Sequence, residues 1–126
     1  MLIDDDLATN FIHTMIINKM EGADKIIVAE NGLEALKYLH TIETEGAVKP
    51  DLIFLDINMP CMDGWEFLEE YKELDVSKKA EVTLIMLSTS LNPDDKKKAD
   101  LIPNINGFKN KPLTTSMLEN ILEEDF

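Results

Sequence analysis

Five short apolar runs set the constraint on this chain: MLI (1–3), KIIVA (25–29), DLIFLD (51–56), VTLIMLS (82–88) and the weaker INGFKN (105–110). Each is rich in aliphatic residues and bounded by polar or turn residues, as strands buried on both faces require. The segments between them carry helical spacing. Phe11, Ile12, Met15, Ile16 and Met20 recur at three- and four-residue steps, as do Leu33, Leu36 and Leu39, then Leu68, Tyr71 and Leu74, and finally Met117, Leu118, Ile121 and Leu122. Asn92-Pro93 reads as an N-cap followed by proline at the first helical position, which adds a helix between the fourth and fifth strands. Alternation of this kind predicts an α/β fold: a doubly wound, five-stranded parallel sheet flanked by helices, with right-handed crossovers.

In such a sheet ligands collect beyond the carboxyl ends of the strands, near the point where strand order reverses. The ends of these runs hold LIDDD (2–6), Asp56, LIMLSTS (84–90) and GFKNKPL (107–113). A lone Asp after an apolar run is adequately explained as the point where a strand meets water. Carboxylates at two strand ends, a hydroxyl at a third and an ammonium at a fourth ask for more. Asp4, Asp5 and Asp56 brought together would repel one another by several kcal/mol unless neutralised, and a hard divalent cation such as Mg²⁺ does that with oxygen ligands. Ser88 can donate to a phosphoryl oxygen and Lys111 can neutralise another, which completes a clamp for phosphoryl transfer.

Composition narrows the partners. With 126 residues the chain fits one domain, read as 1–126, and its formal charge of −13, with twelve Lys and no Arg, argues against direct nucleic-acid binding. The only basic run, DDKKKAD (94–100), is flanked by acids and reads as a solvated helix face. No apolar run approaches the roughly 20 residues of a spanning helix, and no basic segment precedes an apolar core at the start, so no membrane association and a cytoplasmic location are expected. The single Cys61 has no Cys or His neighbour at zinc-ligand spacing and reads as a loop thiol.

These residues resemble the receiver domain of two-component response regulators over essentially the whole chain. The resemblance rests on Asp4-Asp5, DINMPCMDG (56–64), AENGLEAL (29–36), Ser88 and Lys111-Pro112, whose order and spacing together are specific. It implies a flavodoxin-like receiver fold with strand order 2-1-3-4-5, Asp56 as phosphoacceptor, and Mg²⁺ held directly by Asp5, Asp56 and the Asn58 backbone carbonyl and through water by Asp4. It further implies that Ser88 and Lys111 bind the phosphoryl group, that the Lys111-Pro112 peptide is cis, and that Ser88 and Phe108 are switch residues. The implied donor is a phosphohistidine on a sensor histidine kinase or histidine phosphotransfer protein. A downstream effector protein or domain would read helix four, strand five and helix five, and the domain is regulatory, assisting its own phosphorylation and dephosphorylation. The match departs at Thr89, where a smaller residue is common and whose bulk would narrow access to the phosphoryl group. It departs again at Phe108, where Tyr is frequent and no phenol is available.

Two other readings stand beside this one. An aspartyl-phosphate phosphohydrolase would usually carry a second Asp two residues after its nucleophile, where this chain has Asn58. A non-phosphorylated interaction module would have no need of the acidic, hydroxyl and lysine set. Asp6 is expected to cap the first helix, His13 and His40 to lie on the surface, Lys109 to stay outside the motif position that Lys111 occupies, and Trp65 to pack at a helix start. Only Met1, Leu2 and Ile3 precede the acidic pair, whereas strands usually run about five or six residues, so further residues before Met1 are expected.

Overall fold

The computed structural model describes residues 1–20, 23–74, 82–89 and 92–125; Ser90, the last residue of the LIMLSTS stretch, lies outside them. Within these residues the chain runs β1 (Leu2–Ile3), α1 (Leu7–Lys19), β2 (Val28–Ala29), α2 (Gly32–Glu45), β3 (Leu52–Leu55), α3 (Gly64–Tyr71), β4 (Thr83–Ser88), α4 (Pro93–Asp100), β5 (Gly107–Asn110) and α5 (Thr115–Asp125). The five strands form one sheet in the order β2-β1-β3-β4-β5, with every neighbouring pair parallel. The doubly wound parallel sheet expected from the alternating runs is therefore what the chain forms. Strand order reverses between β1 and β3.

Register decides what meets there. Ile3 pairs with Leu55, so Asp4 and Asp56 leave adjacent strands at the same level. Ser88 pairs with Asn110, which sets Lys111 one residue beyond the end of β5. β1 is only two residues long, but Phe54 N–H donates to Met1 O at 2.9 Å and the Met1 ammonium donates to Leu52 O at 2.7 Å, continuing the ladder. Burial pushes that amine down to about 6.

Alternate strand residues feed two cores. Ile3, Ile53, Leu55, Leu84 and Met86 pack with Ala35, Leu39, Phe67 and Tyr71 on the α2–α3 side. Leu2, Phe54, Ile85 and Leu87 pack with Ile17, Leu118 and Ile121 on the α1–α5 side. Each fully buried aliphatic side chain contributes roughly 1.5–3 kcal/mol, so both faces of the sheet must be covered for the fold to hold.

Helix starts follow their caps. Asp6 accepts from Ala8 N–H and Thr9 N–H at the head of α1, as expected, and Asn92 with Pro93 opens α4. Asp63 and Glu66 form a reciprocal capping box at α3.

The rotation of α1 is not the one its apolar residues favour. Phe11, Ile12 and Met15, apolar residues at helical spacing, are exposed, together with Leu7, while Asn10, His13 and Ile17 are buried. Apolar residues cover about half the circumference of this helix, but the buried face is centred on the other side, where Ile17 is the apolar member, so spacing did not mark the inward face. In α2, Leu36 and Leu39 are buried and Leu33 is exposed.

Candidate functional site

The reversal between β1 and β3 opens onto a cluster of carboxylates. Oxygens of Asp4, Asp5 and Asp56 lie within 4.8 Å of one another, with Asp4 and Asp56 buried and Asp5 exposed. Lys111 crosses from the end of β5 to join them: its Nζ pairs with Asp4 Oδ2 and lies 3.0 Å from Asp56 Oδ1. Asp6, next in sequence, belongs to the cap of α1 and not to this cluster.

Asp56 is held from two directions. Its Oδ1 accepts the Ile57 N–H at 2.9 Å as well as the Lys111 ammonium, and among the described residues Oδ2 has no hydrogen bond or ion pair. Burial first, and the Asp4 charge second, raise the Asp56 carboxyl above its ordinary value, against the hydrogen bond and charge of Lys111. Burial alone would depress the Lys111 ammonium. Its hydrogen bonds to Asp4 and Asp56 outweigh that and hold it above the usual lysine value. Asp4 is fixed as well: its Oδ1 accepts Asp6 N–H at 3.0 Å and its carbonyl accepts Asn10 Nδ2 at 2.8 Å.

The loop after β3 presses close beneath this group. Gly64 N–H donates to Ile57 O at 2.7 Å, and a Cβ on Gly64 would lie 2.4 Å from Asp56 O. Gly64 is therefore required by close backbone approach at the first turn of α3. The left-handed backbone in this loop falls instead on Cys61, at φ 66°. Asn58 is exposed and Met59 buried, so the loop leaves the core between Ile57 and Pro60.

The remaining residues fall around the cluster. Ser88 ends β4 almost fully buried, and Thr89 beside it is exposed. Thr89 lines a small cavity of about 210 Å³ with Thr9, Ile12, His13, Lys111 and Pro112. The Lys111-Pro112 peptide is cis, and Lys111, not Lys109, makes the ion pairs with Asp4 and Asp56. Phe108 is half-buried against the α2–α3 core. Trp65 is half-buried there too, with Lys98 Nζ of α4 4.5 Å from its ring centroid.

His13 corrects an expectation. It is 2% exposed, not a surface residue, and its Nε2 accepts Leu113 N–H at 3.2 Å. His40 is exposed, as expected. Asn10, absent from the sequence reading, is buried with its Oδ1 unpartnered among the described residues. The available signal was two polar positions three residues apart, but Thr9, Thr14 and Asn18 on the same helix are polar as well, so polarity alone did not single them out.

Chemically, this is a cluster of hard oxygen donors, a lysine and a buried hydroxyl at one end of a rigid sheet. It suits a divalent metal and an anionic group brought in beside it. Among the described residues, no helix is long and apolar enough to cross a membrane.

Comparison with known proteins gives a consistent picture. The model of the response regulator receiver domain family matches residues 1–123. A chemotaxis protein CheY of Halobacterium salinarum is 32% identical over 113 residues, covering 89% of this chain and 82% of that protein. The crystal structure of a two-component response regulator from Cytophaga hutchinsonii superposes with a TM-score of 0.88 at 33% identity, over 98% of this chain and 92% of that one. A Mn²⁺-bound form of response regulator Rcp1 superposes with a TM-score of 0.74 at 26% identity, over 98% and 90%.

Proposed function

The chain belongs to the response regulator receiver domain family, and from that premise we propose that Asp56 is its phosphoacceptor within a single receiver domain spanning 1–126. The donor is a phosphohistidine on a sensor histidine kinase or a histidine phosphotransfer protein, read in the cytoplasm. One observation carries the assignment. Asp56 is the buried carboxylate whose Oδ1 is pinned by Ile57 N–H and Lys111, leaving Oδ2 without a hydrogen bond or ion pair among the described residues.

The donor set fits Mg²⁺. Three carboxylates converge within 4.8 Å, and the ammonium of Lys111 offsets only part of their charge. Asp5, Asp56 and the Asn58 backbone carbonyl would hold the ion directly and Asp4 through water. When bound, Mg²⁺ supplies the positive charge that lets these carboxylates coexist with an incoming phosphoryl group.

Asp56 Oδ2 attacks phosphorus; the P–N bond to the donor imidazole breaks as the O–P bond forms, and the imidazole takes up a proton from solvent. Asp56 reacts as the carboxylate and gives up no proton. Lys111 moves its ammonium from Asp56 toward a phosphoryl oxygen, and the Ser88 hydroxyl donates to another. Those two displacements shift a pre-existing equilibrium in which Phe108 repacks and the α4–β5–α5 surface changes for an effector. Hydrolysis uses the same groups: water attacks the phosphorus, the bond from Asp56 Oδ2 to phosphorus breaks and inorganic phosphate leaves, so the domain assists its own dephosphorylation. A phosphohydrolase reading is disfavoured because Asn58 stands where a second acid would be needed.

The test is incubation with acetyl phosphate and Mg²⁺, followed by intact-mass measurement. One phosphoryl group is expected; it is not gained when the metal is chelated beforehand, nor in Asp56→Asn. Labelling of that variant at an unchanged rate would overturn the assignment.

A further inference from the structure

α1 turns two polar side chains inward where aliphatic ones would fill the core without a hydrogen-bonding requirement. Asn10 and His13 are 4% and 2% exposed and lie one helical turn apart. Each contacts a loop that carries a member of the site: Asn10 Nδ2 donates to the carbonyl of Asp4, and His13 Nε2 accepts the N–H of Leu113. Leu113 lies two residues beyond Lys111, across the cis Lys111-Pro112 bond, and its own side chain is buried in the α1–α5 core. The two ends of this brace meet again at the Lys111–Asp4 ion pair.

We infer that His13 is a positioning residue for Lys111: by accepting the Leu113 N–H it ties the β5–α5 turn to α1 and keeps the Lys111 ammonium on Asp4 and Asp56. Because a backbone N–H donates to Nε2, the imidazole is neutral with its proton on Nδ1. Burial, which lowers the His13 proton affinity, keeps it in that form. Removing the acceptor leaves a buried N–H unsatisfied, and the turn can relieve that only by moving toward water, taking Lys111 with it. Lys111 hangs from a single turn at the edge strand of the sheet, so β5 gives it support from β4 alone.

The inference rests on the phosphoacceptor reading for its kinetic consequence but not for its geometry, and the experiment separates the two. The full chain is compared with His13→Leu, which lacks an acceptor, and His13→Gln, whose Oε1 can occupy the place of Nε2. Thermal melts establish that each is folded. With acetyl phosphate and saturating Mg²⁺, His13→Leu is expected to be labelled roughly tenfold more slowly, and His13→Gln within about threefold of the parent. In a Lys111→Met background, His13→Leu is expected to add less than about twofold, because the group it positions is already gone. Acylation of Lys111 by an amine-reactive reagent, read by peptide mass spectrometry, is expected to be faster in His13→Leu than in the parent and slow again in His13→Gln.

An unchanged labelling rate in His13→Leu, or an equal loss with and without Lys111, would leave His13 a core residue only and overturn the inference. A parent chain that takes no label would instead defeat the phosphoacceptor reading. Lys111 acylation then decides alone: faster modification in His13→Leu supports the brace, and an unchanged rate removes it.

Discussion

Lys111 and Asp56 face each other at 3.0 Å across the carboxyl end of the sheet, though they arise from strands separated by β4. Each side chain is only 11% exposed. Asp4 shares the same ammonium. The site therefore carries an internal cation that an incoming metal or phosphoryl group must redistribute, and its behaviour follows from that competition.

Replacing Lys111 by Met should separate metal binding from chemistry. The carboxylates lose their internal counter-ion, so Mg²⁺ should bind several-fold more tightly in a titration followed by Trp65 fluorescence, while labelling of Asp56 slows. Without metal the variant should be less stable by about 3 kcal/mol in urea, the order expected when one partner of a buried ion pair is removed. Weaker Mg²⁺ binding would contradict this.

Asp56→Asn should stabilise the metal-free protein near neutral pH. The folded state holds the Asp56 proton more tightly than the unfolded chain does, because of burial and the Asp4 charge. Keeping that carboxylate ionised thus costs stability above its raised folded value, and the cost disappears as pH falls through that value toward the ordinary carboxylate range. Differential melts should show the variant a few degrees higher at neutral pH, a shift that about 1 kcal/mol produces in a domain of this size. The gap should narrow on acidification. A gap that widens would reverse the sign of the Asp56 contribution.

Gly64→Ala should injure the site through the backbone. The added Cβ would fall 2.4 Å from Asp56 O and 3.0 Å from Ile57 Cα, and neither atom can rotate away. A loss of about 2–3 kcal/mol in chemical denaturation is expected, together with slower labelling as the Asp56 loop shifts. Unchanged stability would mean that α3 slides away without cost.

Asp5→Ala should weaken Mg²⁺ binding far more than Asp6→Ala. Asp5 belongs to the carboxylate cluster, whereas Asp6 is committed to Ala8 N–H, Thr9 N–H and the Thr9 hydroxyl. Asp6→Ala should instead lower stability by about 1 kcal/mol through loss of a helix cap. Equal losses of metal affinity in the two variants would remove Asp5 from the ligand set.

Local chemistry carried much of this in the sequence. Short apolar runs closing in Asp4, Asp56 and Ser88, and the Lys111-Pro112 step, marked the strand ends, because a strand buried on both faces leaves polar residues only at its termini. Asp6 and Asn92-Pro93 marked helix starts, since the donors they satisfy lie two or three residues away. The rotation of α1 was decided elsewhere. Leu7, Phe11 and Met15 had as strong an apolar claim on the interior as Ile17, yet the buried face is the one bearing Asn10 and His13. Their partners are the carbonyl of Asp4 and the N–H of Leu113, the latter 100 residues along the chain. Helical spacing records which residues share a face, but a face with two buried polar groups is stable only where matching donors and acceptors await it. Only the tertiary structure brings those groups within reach.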